Sequence, residues 1–123
     1  MGPDTLRLAL SGEGRKGDVR AVAEIAGVMA AKRTSDLIPM CHPLLLSSAK
    51  VTIEPTEDGS GLTATATVKT RGPTGVEMEA MTAVSAALLT LYDMLKAVDR
   101  GMTLADIQLV DKSGGASGDW ARP

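Results

Sequence analysis

The longest stretch of regular apolar spacing covers residues 75–100 and predicts an amphipathic helix. Apolar residues recur there at intervals of three and four, which places them on one helical face: Met81, Val84, Leu88, Leu91, Leu95 and Val98. Thr74 and Glu77 have the spacing of a capping box at its start, and Gly101 follows as a stop signal. We expect the rest of the chain to be organised around this helix.

A second helix is predicted from Asp18, a favourable N-cap residue, to Leu37. Apolar residues at helical spacing form its expected buried stripe: Val22, Ile25, Ala26 and Met29. Small residues elsewhere on this helix would let a neighbouring element approach closely: Ala21, Ala23, Gly27, Ala30 and Ala31. Pro3 and Gly12 delimit a third, short helix over residues 5–10.

Apolar and polar residues alternate over residues 49–54 and 62–69, which predicts two strands joined by a turn-rich loop into a hairpin. Residues 107–110 predict a third strand. Helices combined with antiparallel strands indicate an α+β domain of two layers, with the helices on one face of the sheet. Three short strands leave two exposed sheet edges, which favours an oligomer that covers them.

Composition supports one folded domain over residues 1–123, since 44% of the residues are hydrophobic and 23% charged. The net charge of −2 provides no general attraction to nucleic acid or to an anionic membrane. Cys41 is the single cysteine, so there is no internal disulfide, and a cytoplasmic location is the expectation. No signal peptide and no uninterrupted apolar run of about 18 residues is visible.

The most conspicuous polar pair is Cys41 and His42, which lie between Pro39 and Pro43. One cysteine and one histidine are too few for a zinc site by themselves, because zinc takes three or four protein ligands, so carboxylates would have to complete it. Adjacent residues also make a poor nucleophile–base pair, which requires proximity in space. A histidine held between two prolines suits hydrogen bonding to a ligand, and a structural role is an equal alternative at this stage.

Asp93 and Lys96 are one helical turn apart and can touch. The pair is either a surface ion pair, worth about 0–1 kcal/mol, or a carboxylate that orients a lysine for proton transfer. Lys112 precedes a glycine-rich tail whose backbone N–H groups could surround an anion, although a flexible terminus has the same composition. Lys16, before the second helix, offers another anion site, and Lys32 suits that helix's negative end.

Glu79 and Asp93 lie on the same predicted helix, 14 residues apart (93 − 79). At 1.5 Å per residue they are separated by about 21 Å, too far for both to contact the reacting part of one small molecule. If both serve the same chemistry, one of them must come from another subunit. The hypothesis is therefore a site shared across a subunit interface.

Six motifs in order carry a family resemblance: K-G-D-V, A-A-K-R-T, L-I-P-M-C-H-P-L, T-G-V-E-M-E-A, Y-D-M-L-K-A-V and K-S-G-G-A-S-G-D. The set resembles the cyclic pyranopterin monophosphate synthase family of molybdenum cofactor biosynthesis. The resemblance implies a ferredoxin-like α+β fold and a hexamer built as a trimer of dimers, with active sites at the dimer interface. It implies a lyase that converts (8S)-3',8-cyclo-7,8-dihydroguanosine 5'-triphosphate to cyclic pyranopterin monophosphate and pyrophosphate, without a cofactor and without metal-ligating residues. Whether a divalent ion accompanies the phosphates stays open.

Positions within these motifs imply catalytic roles for four residues: Asp93, Lys96, Lys16 and Lys112. They imply substrate contacts for seven others: Met40, Cys41, His42, Met78, Glu79, Glu77 and Lys32. The division of phosphate binding and proton transfer among the lysines other than Lys96 stays open. Such a set suits the reaction, because rebuilding a guanine-derived ring as a pterin needs proton donors and acceptors, and expelling pyrophosphate needs cations.

The resemblance departs at the start of the chain, where the family has a further segment with a strand and basic positions. If that segment belongs to the protein, a fourth strand is expected in the sheet.

Two rival functions share the residue pattern. A non-catalytic, nucleotide-binding regulatory module would keep the lysines without requiring Asp93 or Lys96, and a purely structural assembly protein would require neither group.

Overall fold

The computed structural model describes residues 1–123 and contains four helices and four strands. In chain order they are α1 Pro3–Ser11, α2 Val19–Lys32, α3 Thr34–Leu37, β1 Leu46–Pro55, β2 Leu62–Thr70, α4 Glu77–Leu95, β3 Asp111–Lys112 and β4 Trp120–Ala121. Helices α2 and α4 pack on each other, and both contact the β1–β2 sheet. The predicted α+β class, with helices against an antiparallel sheet, is confirmed at this level.

Strands β1 and β2 form the predicted hairpin, with Val51 opposite Ala66 and Ile53 opposite Ala64. Val51 and Ile53 are buried, as expected for the apolar face of an alternating strand. In the connecting loop Asp58 accepts hydrogen bonds from the Ser60 backbone and hydroxyl, which lower the pKa of Asp58 to about 2. The alternation of residue types therefore predicted both strands and the buried face of the hairpin.

Small residues, not large ones, form the buried face of α2: Val19, Ala23, Gly27 and Ala31. The predicted stripe of Val22, Ile25, Ala26 and Met29 is wrong, since its three large members are exposed and Ala26 is half-buried. A Cβ atom on Gly27 would lie 2.9 Å from Val51 Cγ2 and 3.0 Å from the Ala83 carbonyl oxygen. The helix is buried through the face that allows backbones to approach most closely.

The buried face of α4 also differs from the prediction. It consists of residues spaced by four: Glu79, Ala83, Ala87, Leu91 and Leu95. Among the six predicted residues only Leu91 and Leu95 are buried, whereas Val98 is exposed and the others are half-buried. The period was correct, but the buried face is rotated toward the alanines because these meet the small residues of α2.

The predicted helix ends were correct for α1, which begins at Pro3 and is capped by Gly12, and for the start of α2, but wrong for the end of α2 and for α4. Asp18 caps α2 by accepting hydrogen bonds from the backbone of Arg20 and Ala21. That helix stops at Lys32 rather than Leu37, and α3 follows as a separate turn. The capping box at α4 does not form, because the N-cap is Val76 and makes no side-chain cap bond.

Helix α4 ends at Leu95, before the predicted end at Arg100. Beyond it Asp99 accepts hydrogen bonds from Gly2 N and Thr5 Oγ1, and these bonds hold the pKa of the Asp99 carboxyl below its usual value. This contact attaches the start of α1 to the turns after α4. It gives residues 96–100 a tertiary role that the helical pattern did not reveal.

The predicted third strand at residues 107–110 is absent, because that segment pairs with no other strand. Pairing begins one residue later, where β3 joins β4 around the glycine-rich segment. The sheet of β1 and β2 thus has two strands, and a cavity of about 1040 Å³ separates β2 and α4 from residues 102–115. By length and composition α4 could cross a membrane, yet it packs on α2 and β2 as a core helix does.

Replacing Gly27 with valine tests the close contact between α2, α4 and β1. The added side chain overlaps Val51 and the Ala83 backbone, so we expect the free energy of unfolding to fall by about 3 kcal/mol. Chemical denaturation followed by circular dichroism measures it. Gly61→Val is the control, because nothing lies within 4 Å of a Cβ there; equal losses for both variants would contradict the contact.

Candidate functional site

A cavity of about 330 Å³ lies between the loop after α3 and the first turn of α4. We call it the Cys41 cavity. Six of the predicted substrate-binding residues line it: Met40, Cys41, His42, Met78, Glu79 and Glu77. The fold therefore brings the loop after α3 together with the first turn of α4, which is more than 30 positions later in the sequence. Cys41 and Glu79, for example, are 38 residues apart.

Glu79 forms the polar floor of this cavity. Glu79 is only 4% exposed, and no basic side chain lies within ion-pair distance of its carboxylate. Cys41 Sγ donates a hydrogen bond to Glu79 Oε2 at 3.5 Å. A buried carboxylate with so few protein donors is suited to accept hydrogen bonds from N–H groups of a ligand.

The Cys41 thiol is kept in its neutral form. Burial raises its pKa most, and the negative charge of Glu79 together with the hydrogen bond to Glu79 raises it further. A thiolate nucleophile needs the opposite environment, with positive charge or a helix N-terminus near the sulfur. The geometry thus favours a hydrogen-bonding thiol, and the His42 side chain makes no hydrogen bond that could activate it.

A second cluster lies at the other end of α4. Lys96 Nζ donates to Asp93 Oδ1 at 2.7 Å, and the side chains are 42% and 61% exposed. The hydrogen bond from Lys96 lowers the pKa of Asp93 most, followed by the charges of Lys96 and Lys16. Lys16, in the loop between α1 and α2, therefore joins this cluster, which we call the Asp93 cluster.

Lys112, which lies in β3, contacts the first turn of α4 and is not part of the Asp93 cluster. Its ammonium lies 3.5 Å from Glu77 Oε1, and its side chain is 14% exposed. Lys32 is exposed at the end of α2 and forms no ion pair, so the structure places it in neither group. The Glu77–Lys112 contact was not predicted, because residues so distant in sequence carry no periodic signal of their pairing.

The four predicted catalytic residues are thus divided between the two ends of α4. Glu79 and Asp93 are 14 residues apart on one continuous helix, which separates them by about 21 Å. One chain does not bring the Cys41 cavity and the Asp93 cluster together. No group of three or more His, Cys, Asp or Glu side chains is arranged so that it could hold a metal ion.

Glu79→Gln tests the electrostatic control of Cys41. Removing the neighbouring charge lowers the thiol pKa, so more thiolate is present at pH 8 and alkylation by iodoacetamide should become several-fold faster. The difference should vanish at high pH, where both thiols are ionised. Glu57→Gln, an exposed acid in the β1–β2 loop, is the control; an unchanged or slower Glu79→Gln rate would contradict the interaction.

Comparison with known proteins places these motifs in one family. The sequence profile of the MoaC family matches residues 1–115. A cyclic pyranopterin monophosphate synthase of Methylobacterium sp. (strain 4-46) is 60% identical over 121 residues, which cover 98% of this chain and 76% of that protein. The synthase of the same name from Brucella ovis is 58% identical, with 98% and 73% covered. The chain belongs to the MoaC family.

Proposed function

We propose that this chain is a lyase of molybdenum cofactor biosynthesis. It converts (8S)-3',8-cyclo-7,8-dihydroguanosine 5'-triphosphate to cyclic pyranopterin monophosphate and pyrophosphate. The observation that carries the proposal is the 60% identity, over 98% of the chain, to an enzyme named cyclic pyranopterin monophosphate synthase. The acid–base groups described above provide the chemistry that such a rearrangement needs.

The Cys41 cavity is the proposed binding site of the guanine-derived ring. Such a ring presents N–H groups, and the buried Glu79 carboxylate is an acceptor with few partners in the protein. Met40 and Met78 provide polarizable apolar surface at the rim, and both are exposed. His42, without a protein partner for its side chain, is free to hydrogen-bond the same ligand.

The Asp93 cluster is the proposed source of proton transfer. Asp93 fixes the orientation of Lys96 through the 2.7 Å hydrogen bond, and Lys96 exchanges protons with the ring as it opens and re-forms. The cyclic phosphate forms when a substrate hydroxyl attacks the α-phosphorus and pyrophosphate leaves. Cations stabilise the charge that develops on the phosphates, and Lys16, Lys32 and Lys112 are the proposed sources.

A complete site requires two chains in this proposal. The 14-residue separation along α4 supports it, because Glu79 and Asp93, about 21 Å apart, cannot both contact the reacting part of one ligand. The Cys41 cavity of one subunit would face the Asp93 cluster of the next. A trimer of dimers, a ferredoxin-like sheet and a cytoplasmic location complete the proposal; the exposed apolar residues of α2 and the single cysteine support parts of it.

Lys96→Ala distinguishes this lyase from a nucleotide-binding module and from a structural assembly protein. We expect the wild type to release cyclic pyranopterin monophosphate and pyrophosphate, and the variant to lose about 10²- to 10⁴-fold in turnover. Product quantification by chromatography is the measurement. Lys50→Ala, an exposed lysine on β1, is the control. Substrate binding without turnover by the wild type would favour the module instead, and a silent Lys96→Ala would contradict the catalytic role.

Mixing inactive variants tests the shared site. Glu79→Ala and Asp93→Ala chains, unfolded and refolded together, should recover part of the wild-type activity, because one of the two sites in a mixed dimer keeps both residues. Mixing Asp93→Ala with Lys96→Ala is the matched control. Those two residues come from the same chain in every site, so that mixture should stay inactive. Inactivity of the first mixture in verified hetero-oligomers would contradict a shared site.

A further inference from the structure

Glu77 occupies the boundary between two cavities. It lines the Cys41 cavity and also the larger cavity between β2, α4 and residues 102–115. Its Oε1 atom is buried from solvent and makes no hydrogen bond. The nearest cation is the Lys112 ammonium, 3.5 Å from that oxygen. Because charge-assisted hydrogen bonds are usually about 2.7–2.9 Å long, the two charges attract each other without a closed hydrogen bond.

Lys112 is held from its other side by the glycine-rich turn. Its ammonium lies 3.4 Å from the Gly114 carbonyl oxygen, and Gly114 N donates to Asp119 Oδ1. Gly115 has a positive φ of 76°. A Cβ atom there would lie 3.1 Å from the backbone nitrogen of Gly75, so the turn packs directly against the segment that leads into α4. The backbone thereby brings Lys112 to the first turn of that helix.

No other carboxylate competes for Lys112, since Glu77 is its one acidic partner within 4.0 Å. Glu79, two residues further along, contacts Cys41 instead. Gly75 is part of the same arrangement, because any side chain there would overlap the Glu77 carboxylate. The two acids in the first turn of α4 thus have different partners, since Glu79 faces the Cys41 thiol and Glu77 faces the Lys112 ammonium.

We propose that Glu77 is a positioning residue for Lys112, whose ammonium it holds in the larger cavity until a phosphate group of the substrate takes the ammonium over. This inference rests on the proposed function. The open contact matters for it: a lysine 3.5 Å from a carboxylate is kept in place, yet no closed hydrogen bond to that carboxylate holds it, and only the long 3.4 Å hydrogen bond to the Gly114 carbonyl is exchanged for one to a phosphate oxygen. Glu77 then acts through Lys112 and not by contact with the substrate.

A double-mutant cycle separates these two roles. Glu77→Gln should lower kcat/KM roughly 10-fold through misplacement of the lysine, and Lys112→Ala should lower it further. If Glu77 acts through Lys112, the double variant will have the activity of Lys112→Ala alone, because the same contribution cannot be lost twice. Multiplied losses in the double variant would overturn the proposal and assign Glu77 an independent contact.

The conservative variant Glu77→Asp keeps the charge on a shorter side chain. It should recover part of the kcat/KM lost in Glu77→Gln, which is nearly the same size as glutamate but uncharged. A purely steric role predicts the reverse order, with Gln the better replacement, and that result would also overturn the proposal. Glu57→Gln serves as the charge control and should retain wild-type activity; circular dichroism confirms that every variant is folded.

The contact itself can be measured without substrate. In protein labelled with ¹³C-lysine, the Lys112 side-chain signal, assigned by its loss in Lys112→Arg, should change its chemical shift in Glu77→Gln and not in Glu57→Gln, because the Glu77 carboxylate lies 3.5 Å from the ammonium. An unchanged signal in Glu77→Gln would overturn the pairing. Absence of turnover by the wild type would instead overturn the proposed function, and the two failures are therefore distinguishable.

Discussion

The rest of the structure depends on the close approach of α2 to α4 and β1 at Gly27. Because Gly27 has no side chain, the α2 backbone comes so close to its neighbours that a Cβ atom would lie 2.9 Å from Val51 Cγ2 and 3.0 Å from the Ala83 carbonyl oxygen. Ala23, Ala31 and the alanines of α4 continue this face. Dispersion contacts accumulate over such a surface although each is small. The orientation of α4, and of everything attached to its ends, follows from this packing.

Because α4 is continuous and rigidly packed, it fixes the distance between the two sets of polar residues. The start of the helix carries Glu77 and Glu79, and its last turn leads to Asp93 and Lys96. A helix cannot shorten this separation without breaking hydrogen bonds in its own backbone. One chain therefore keeps the two sets of residues apart. In the proposed function they are two half-sites, and a symmetric dimer would give each half-site a partner from the second copy of the chain.

The sequence was sufficient for features encoded by local pattern. Alternation located β1 and β2, and a single aspartate located the start of α2. Pattern was insufficient where tertiary contacts decide: hydrophobicity favoured Ile25 and Met29 for the core, but the smaller Ala23 and Gly27 fit it. The residues that the motifs grouped with Cys41 line one cavity, apart from Lys32. The motifs could not show that Lys112 lies with Glu77 and apart from Asp93, since that arrangement depends on where the glycine-rich turn is seated.

Each acid on the polar positions of α4 faces a side chain that carries a proton: Glu79 faces the Cys41 thiol, Glu77 the Lys112 ammonium, and Asp93 the Lys96 ammonium. The environments act in opposite directions. Burial and negative charge raise the pKa of the thiol, whereas Lys96 lowers the pKa of Asp93. At neutral pH the thiol stays protonated and the carboxylate ionised, so donors and acceptors are both present before the substrate arrives. The proposed reaction rearranges bonds by moving protons, and it needs proton donors and acceptors of these kinds.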